Sequence, residues 1–182
     1  MRKRLWMGVF ALLLTAAANL HVGCRVSVAG QPVEGLFSPA AVADSRALAG
    51  RVAEEILLTD ETAPRCQVRR CLTFLPPSEE PAAVTDALLR ATEGIAVRQQ
   101  VRVNGLSLGH VADGEALDAA LRRYLYGSRP AGAVNARYTE EITTRGVYTR
   151  LGRDTTTEDM LLLVTGCCPV LYTDKDGVVI PG

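Results

Sequence analysis

The feature that most constrains this chain is a string that occurs three times. RVSVAGQPV from Arg25, VRVNGLSLG from Val101 and LYTDKDGVV from Leu171 each run an alternating segment into a glycine and resume as a second apolar segment. Their glycines, Gly30, Gly105 and Gly177, stand 75 and then 72 residues apart. This is the pattern of two strands joined by a tight turn, and a period of this size governs every later assignment. A second pair of strings supports it: TDALLRATEGI from Thr85 aligns with EDMLLLVTGC from Glu158, setting Leu88 and Leu89 on Leu161 and Leu162. The expected fold is therefore α+β, a tandem duplication of a roughly 73-residue hairpin, helix, strand, helix unit behind an N-terminal signal or anchor helix. The boundaries follow as 1–24 for the leader, 25–98 and 99–170 for the two units, and 171–182 for a terminal partial hairpin.

Within each unit the local signals agree. Ser38-Pro39 offers an N-cap followed by proline at the first helical position, and Leu48, Val52 and Ile56 recur every four residues as one buried stripe. Asp113 caps a helix whose Leu117, Ala120, Leu121, Tyr124 and Leu125 share a face and which Gly127 stops. The middle strands are CQVRRCLTF from Cys66, with Val68, Leu72 and Phe74 on one face, and ARYTEEITT from Ala136, with Tyr138 and Ile142 on one face. Thr155 and Glu158 form a capping box for the last helix. The terminal hairpin adds its strands to the edge of the second unit, unless the chain is a fragment of a longer protein.

The first residues have a different character. Arg2, Lys3 and Arg4 precede an uncharged apolar run from Leu5 to Ala18, the two regions of an export signal. Ala16-Ala17-Ala18 supplies small residues for cleavage, while Leu5 to Cys24 is long enough to cross a bilayer as a retained single-pass helix. Val22-Gly23-Cys24 also resembles the end of a lipobox, with His21 where that motif has leucine. All three outcomes place the remainder outside the cytoplasm, anchored to the membrane or secreted. Beyond the leader, seventeen cations face twenty acids, a balance with no basic field for nucleic acid.

Chemistry-bearing residues are sparse. Cys66 and Cys71 stand an odd number of positions apart on a strand and so face opposite sides, while Cys167 and Cys168 fall on apolar positions of the repeat. No C-x-x-C spacing for zinc is present. His21 belongs to the leader, and His110 is the remaining imidazole, with Asp113 beside it already used as a cap. Glu140 and Glu141 point to opposite faces of a strand. Asp174-Lys175-Asp176-Gly177 resembles the opening of a calcium loop but reads more simply as a hairpin turn. Phosphate-loop, dinucleotide and nucleophile-elbow motifs are missing. No cofactor and no catalytic or metal residue is expected.

The strings VRVNGLSLGHVADGEALDAALRRYL and VNARYTEEITTRGVYTR, with the helix after them, resemble the repeated non-catalytic region ahead of the peptidase domain in Gram-positive lysostaphin-like cell-wall endopeptidases. The resemblance covers most of Val26 to Val179 and implies an envelope location and an α+β fold. It does not imply catalysis, because the zinc-holding His-x-x-x-Asp and His-x-His motifs of those peptidases are absent. The expected function is a non-enzymatic envelope module that contacts proteins or the cell wall, with self-association through unpaired hairpin edges. Asn104, Gly105, Leu106, Gly177, Val178 and Val179 are its expected partner-binding residues. The competing expectation is an envelope hydrolase or thiol-redox protein using His110 or the Cys167-Cys168 pair.

Overall fold

A computed structural model describes residues 19–58, 65–127 and 129–180. Among them, four helices and three small antiparallel sheets form two compact units, the first ending at Ile95 and the second beginning at Ala96. The class is α+β.

The first unit is built on strand β1, His21–Val28, flanked by the short β2, Gln31–Pro32, and by β3, Cys66–Thr73, in the order β2-β1-β3. The turn from β1 to β2 sets Ala29 at φ 49° and Gly30 at φ 81°, two successive left-handed residues that match the twist of the flanking strands. Helices α1, Pro39–Leu57, and α2, Ala82–Arg90, pack on each other and on β1. Ser38 caps α1 as its sequence predicts, its Oγ accepting from Ala41 N at 3.0 Å, an interaction typically worth ~1 kcal/mol.

The buried face of α1 differs from the expected stripe. Leu48 is 38% exposed and Val52 and Ile56 are half-buried, whereas Val42, Ser45, Ala49 and Ala53 face inward. Small residues win there because they let α2 approach closely: Ser45 Oγ donates to Ala41 O at 2.7 Å and also lies 3.0 Å from Pro81 O at the start of α2.

The second unit carries β4, Ile95–Val103, and β5, Leu106–Val111, joined by an Asn104-Gly105 turn with φ 48° and 82°. Helix α3, Gly114–Gly127, starts on the expected Asp113 cap, with Ala116 N donating to Oδ1 at 2.9 Å. The expected middle strand is two strands, β6, Asn135–Tyr138, and β7, Ile142–Arg150. β7 completes the sheet β5-β4-β7, while β6 joins the terminal strands β8, Val170–Thr173, and β9, Val179–Ile180, in the order β6-β8-β9. Helix α4, Thr157–Cys167, is capped one residue later than expected, Thr156 Oγ1 accepting from Asp159 N at 3.1 Å. Val101, Val111, Leu117, Met160, Val164 and Cys168 form the fully buried heart of this unit, and Tyr138 and Ile142 pack against it.

One expectation fails on burial. The sequence alignment puts Leu88 and Leu89 on Leu161 and Leu162, yet the first pair is buried at 0% and 3% while Leu162 is 69% exposed. The buried positions of α4 are Met160 and Val164.

The membrane and single-pass reading is also corrected. Among the described residues no helix is long and apolar enough to cross a membrane. A span running to Cys24 would need His21–Cys24 in helix, but these residues are strand, paired in register with Thr73 to Arg70. His21 is thus part of β1 and not of a leader. Acylation of Cys24 would have to extract a side chain that is 1% exposed from a strand whose N–H and C=O at that residue both bond Phe37, at 2.7 and 3.0 Å. The expected export signal falls on residues 1–18, outside the described residues.

Candidate functional site

The expected partner-binding residues lie in the second unit, on two different sheets. Asn104 is engaged with the turn between β6 and β7: its Oδ1 accepts from Glu141 N at 3.1 Å, its N–H donates to Glu141 O at 3.0 Å, and its Nδ2 donates to Glu140 Oε2. The side chain therefore holds the hairpin against its own unit. Leu106, next to Gly105, is 74% exposed on the edge strand β5. That edge is covered further along, where Thr155 N donates to His110 O at 2.8 Å. Gly177, Val178 and Val179 belong to the terminal hairpin, where Asp174 Oδ1 accepts from Asp176 N and Val178 N at 2.9 and 2.8 Å. These bonds make residues 174–178 a closed turn, and Val178 and Val179 remain 61% and 56% exposed.

The chemistry-bearing groups are dispersed. All five cysteines are free: Cys24 and Cys168 are buried, Cys66 and Cys71 half-buried, and Cys167 exposed. Cys66 and Cys71 do occupy opposite faces, opposite Val28 and Gly23 respectively. Burial pushes the Cys168 thiol up, with Cys167 and Glu140 adding to the effect. Tyr138, whose hydroxyl donates to Leu121 O at 2.8 Å, is pushed up to about 12 by burial and by Tyr124, Cys168 and Tyr172. Among the described residues no group of three or more metal-ligating side chains comes together. No protein family, curated protein or solved structure matches the chain.

The first unit has two surface features. A groove of ≈ 450 Å³ opens between the β1–β2 turn and α2, floored by Ala83, Ala87 and Ala91 and walled by Val28, Pro32 and Val33. Asp86 and Arg90, 2.7 Å apart, pair at its rim.

The second feature is β3 itself. It is an edge strand of eight residues, paired on one side with β1 through the full register from Val28↔Cys66 to His21↔Thr73. Alternate residues of β1 and β3 share a face. On the helix-facing side Cys24, Val26 and Val28 are buried, yet β3 is open there: Arg70, opposite Cys24, is exposed, Val68, opposite Val26, is 40% exposed, and Leu72, opposite Val22, is 68% exposed. Beyond them Phe74 and Leu75 are 66% and 74% exposed. The cause is geometric: among the described residues α1 and α2 pack mainly on β1 and at most weakly on β3. On the opposite side Arg25 and Arg69 stand directly across from each other, an arrangement of like charges that destabilises a sheet. Neither β1 nor β3 contains an acid. Among the described residues Arg25, Arg69 and Arg70 have no ion pair, the pairs being Arg90 with Asp86 and Arg98 with Asp154.

This surface escaped sequence reading. Val68, Leu72 and Phe74 have the alternation of a strand with one buried side, broken by Arg70, and period-two patterning is blind to whether a helix reaches that strand. The available signal was Arg69-Arg70 in the middle of a strand without an acidic neighbour.

Proposed function

We propose that this chain is a non-enzymatic, exported envelope module made of two copies of one building block, which acts by protein contact through the open edge of β3. The duplication is supported by matched detail at a nearly constant offset. Buried Val26 and Val28 answer to buried Val101 and Val103, the left-handed pair Ala29-Gly30 to Asn104-Gly105, and the cap Ser38 with Ala41 to Asp113 with Ala116, each 75 positions on. Val42 and Ser45 of α1 likewise answer to Leu117 and Ala120 of α3. In the second helices the buried sets coincide one position later, Val84 with Met160 and Leu88 with Val164. The strand answering to β3 is then β7, and the orders β2-β1-β3 and β5-β4-β7 correspond.

The export reading rests on the cationic residues and apolar run of the leader. The role in the envelope is the one implied by the resemblance to the non-catalytic region of lysostaphin-like endopeptidases. The observation that carries protein contact is the open edge of β3, along which no other strand among the described residues pairs, with exposed Leu72 and Phe74 beside it. An extended chain pairing there gains main-chain hydrogen bonds and burial together. The other edge of that sheet, β2, is two residues long and contains Pro32, which lacks the N–H a partner would need.

The test is amide exchange on the full chain with a short, neutral peptide of alternating Val and Thr, and separately with soluble peptidoglycan fragments. Protection confined to 66–75 in the peptide sample is the expected result. Protection by peptidoglycan alone, protection elsewhere, or turnover of either probe would overturn the reading. Light scattering on the full chain checks self-association through the same edge.

A further inference from the structure

From the charges around β3, and resting on the docking role just proposed for its edge, we infer that the segment received there is an acidic one: an extended stretch of a partner protein in which apolar residues alternate with Asp or Glu. A strand added alongside β3 has two faces. On the helix-facing side its side chains meet Val68 and Leu72, which need apolar cover, with Arg70 exposed between them. On the other side they meet Arg69, which stands opposite Arg25 with no acid on either strand. A carboxylate placed at that position lies beside Arg69, with Arg25 one strand further on, and offsets the repulsion between the two, which an aliphatic or cationic residue does not. Period-two alternation of the incoming chain follows from the pleat.

The same charges argue against a second copy as the occupant. Two β3 strands pairing antiparallel about their centre bring Arg69 and Arg70 of one against Arg69 and Arg70 of the other, and like charges across a ladder oppose the pairing. A polyanion without a peptide backbone would satisfy the arginines but leave the edge N–H and C=O groups and the Leu72 surface unused.

The experiment uses the full chain and three short blocked peptides, alternating Val with Glu, with Lys or with Thr, followed by calorimetry and by amide exchange over 66–75. The Val/Glu peptide is expected to bind best, and Arg25→Gln with Arg69→Gln is expected to weaken it about tenfold while leaving the Val/Thr peptide unchanged. Raising the salt concentration shrinks the difference between the two peptides. Circular dichroism shows whether the variant is folded, and Arg25→Lys with Arg69→Lys, which keeps the charge, retains the preference. If Val/Thr and Val/Glu bind equally in the wild-type chain, the acidic preference is wrong and the docking edge stands. If no peptide binds, both fail. Inorganic polyphosphate binding as tightly as the Val/Glu peptide, or variants that self-associate without any change in peptide affinity, overturns the inference in favour of an anion site or of arginines that merely guard the edge.

Discussion

Replacing Gly23 by alanine tests how tightly the first unit is closed. Gly23 is buried in β1, and a Cβ there would lie 2.6 Å from Leu36 Cγ and 2.7 and 2.8 Å from its two methyl carbons. Leu36 cannot yield by moving its backbone, because its C=O accepts from Ser78 N at 2.7 Å and the next residue, Phe37, bonds Cys24 in both directions. The side chain must therefore swing outward and lose its half-buried contacts. Overpacking of this kind costs ~1–3 kcal/mol, partly offset by the ~0.5–1 kcal/mol that alanine gains over glycine in a strand. The net expectation is a destabilisation of ~1–2 kcal/mol, or roughly 4–8 °C of melting temperature per kcal/mol for a unit of this size. Leu36→Ala alone also destabilises, by removal of a half-buried side chain. The decisive measurement is the double variant: with Leu36 trimmed, Gly23→Ala should cost little, so urea unfolding of the four proteins gives a strongly non-additive cycle. A fully additive cycle, or a Gly23→Ala protein as stable as the parent, would refute the packing argument.

Three further outcomes are expected. Ala29→Asn should stabilise the first unit by up to ~1 kcal/mol in thermal unfolding, because Ala29 is held at φ 49°, a region asparagine tolerates and alanine does not. Tyr138 is protonated more firmly in the folded second unit than in the unfolded chain, so the stability it contributes is complete below pH 10 and is lost as pH rises toward about 12; denaturation midpoints should fall across that window, and Tyr138→Phe should remove this part of the slope. Thiol titration of the native protein should find Cys167 fast, Cys66 and Cys71 slower, and Cys24 and Cys168 reactive only after denaturation; a rapidly reacting Cys168 would instead favour redox use of the Cys167-Cys168 pair.

Much of the local structure was legible in the chain because its causes are local. A cap such as Ser38 or Asp113 is fixed by one side chain reaching its own helix start, and the Asn104-Gly105 turn by the left-handed tolerance of two residues. The glycines Gly30 and Gly105 also marked two hairpin turns that the structure contains. The misplacements share a different origin. The stripe Leu48, Val52, Ile56 follows helical periodicity, yet the inward face of α1 is the adjacent one, chosen by the closeness of α2 through Ser45, Ala49 and Ala53. The cap of α4 moved from Thr155 to Thr156, and the long middle strand of the second unit split at residues 139–141, where Asn104 grips the turn.

By itself, then, the sequence determined the α+β class, the Ser38 and Asp113 caps and the Asn104-Gly105 turn, these caps and this turn being set by interactions spanning a few residues. Tertiary structure alone decided which faces are covered. Val26 is buried and Val68, its direct neighbour across the ladder, is 40% exposed; both are valines with the same alternation. The difference arises because the two helices pack mainly on β1 and at most weakly on β3, a fact of packing between distant segments that no local pattern encodes. That uncovered strand, with its opposed arginines, is where the candidate site lies.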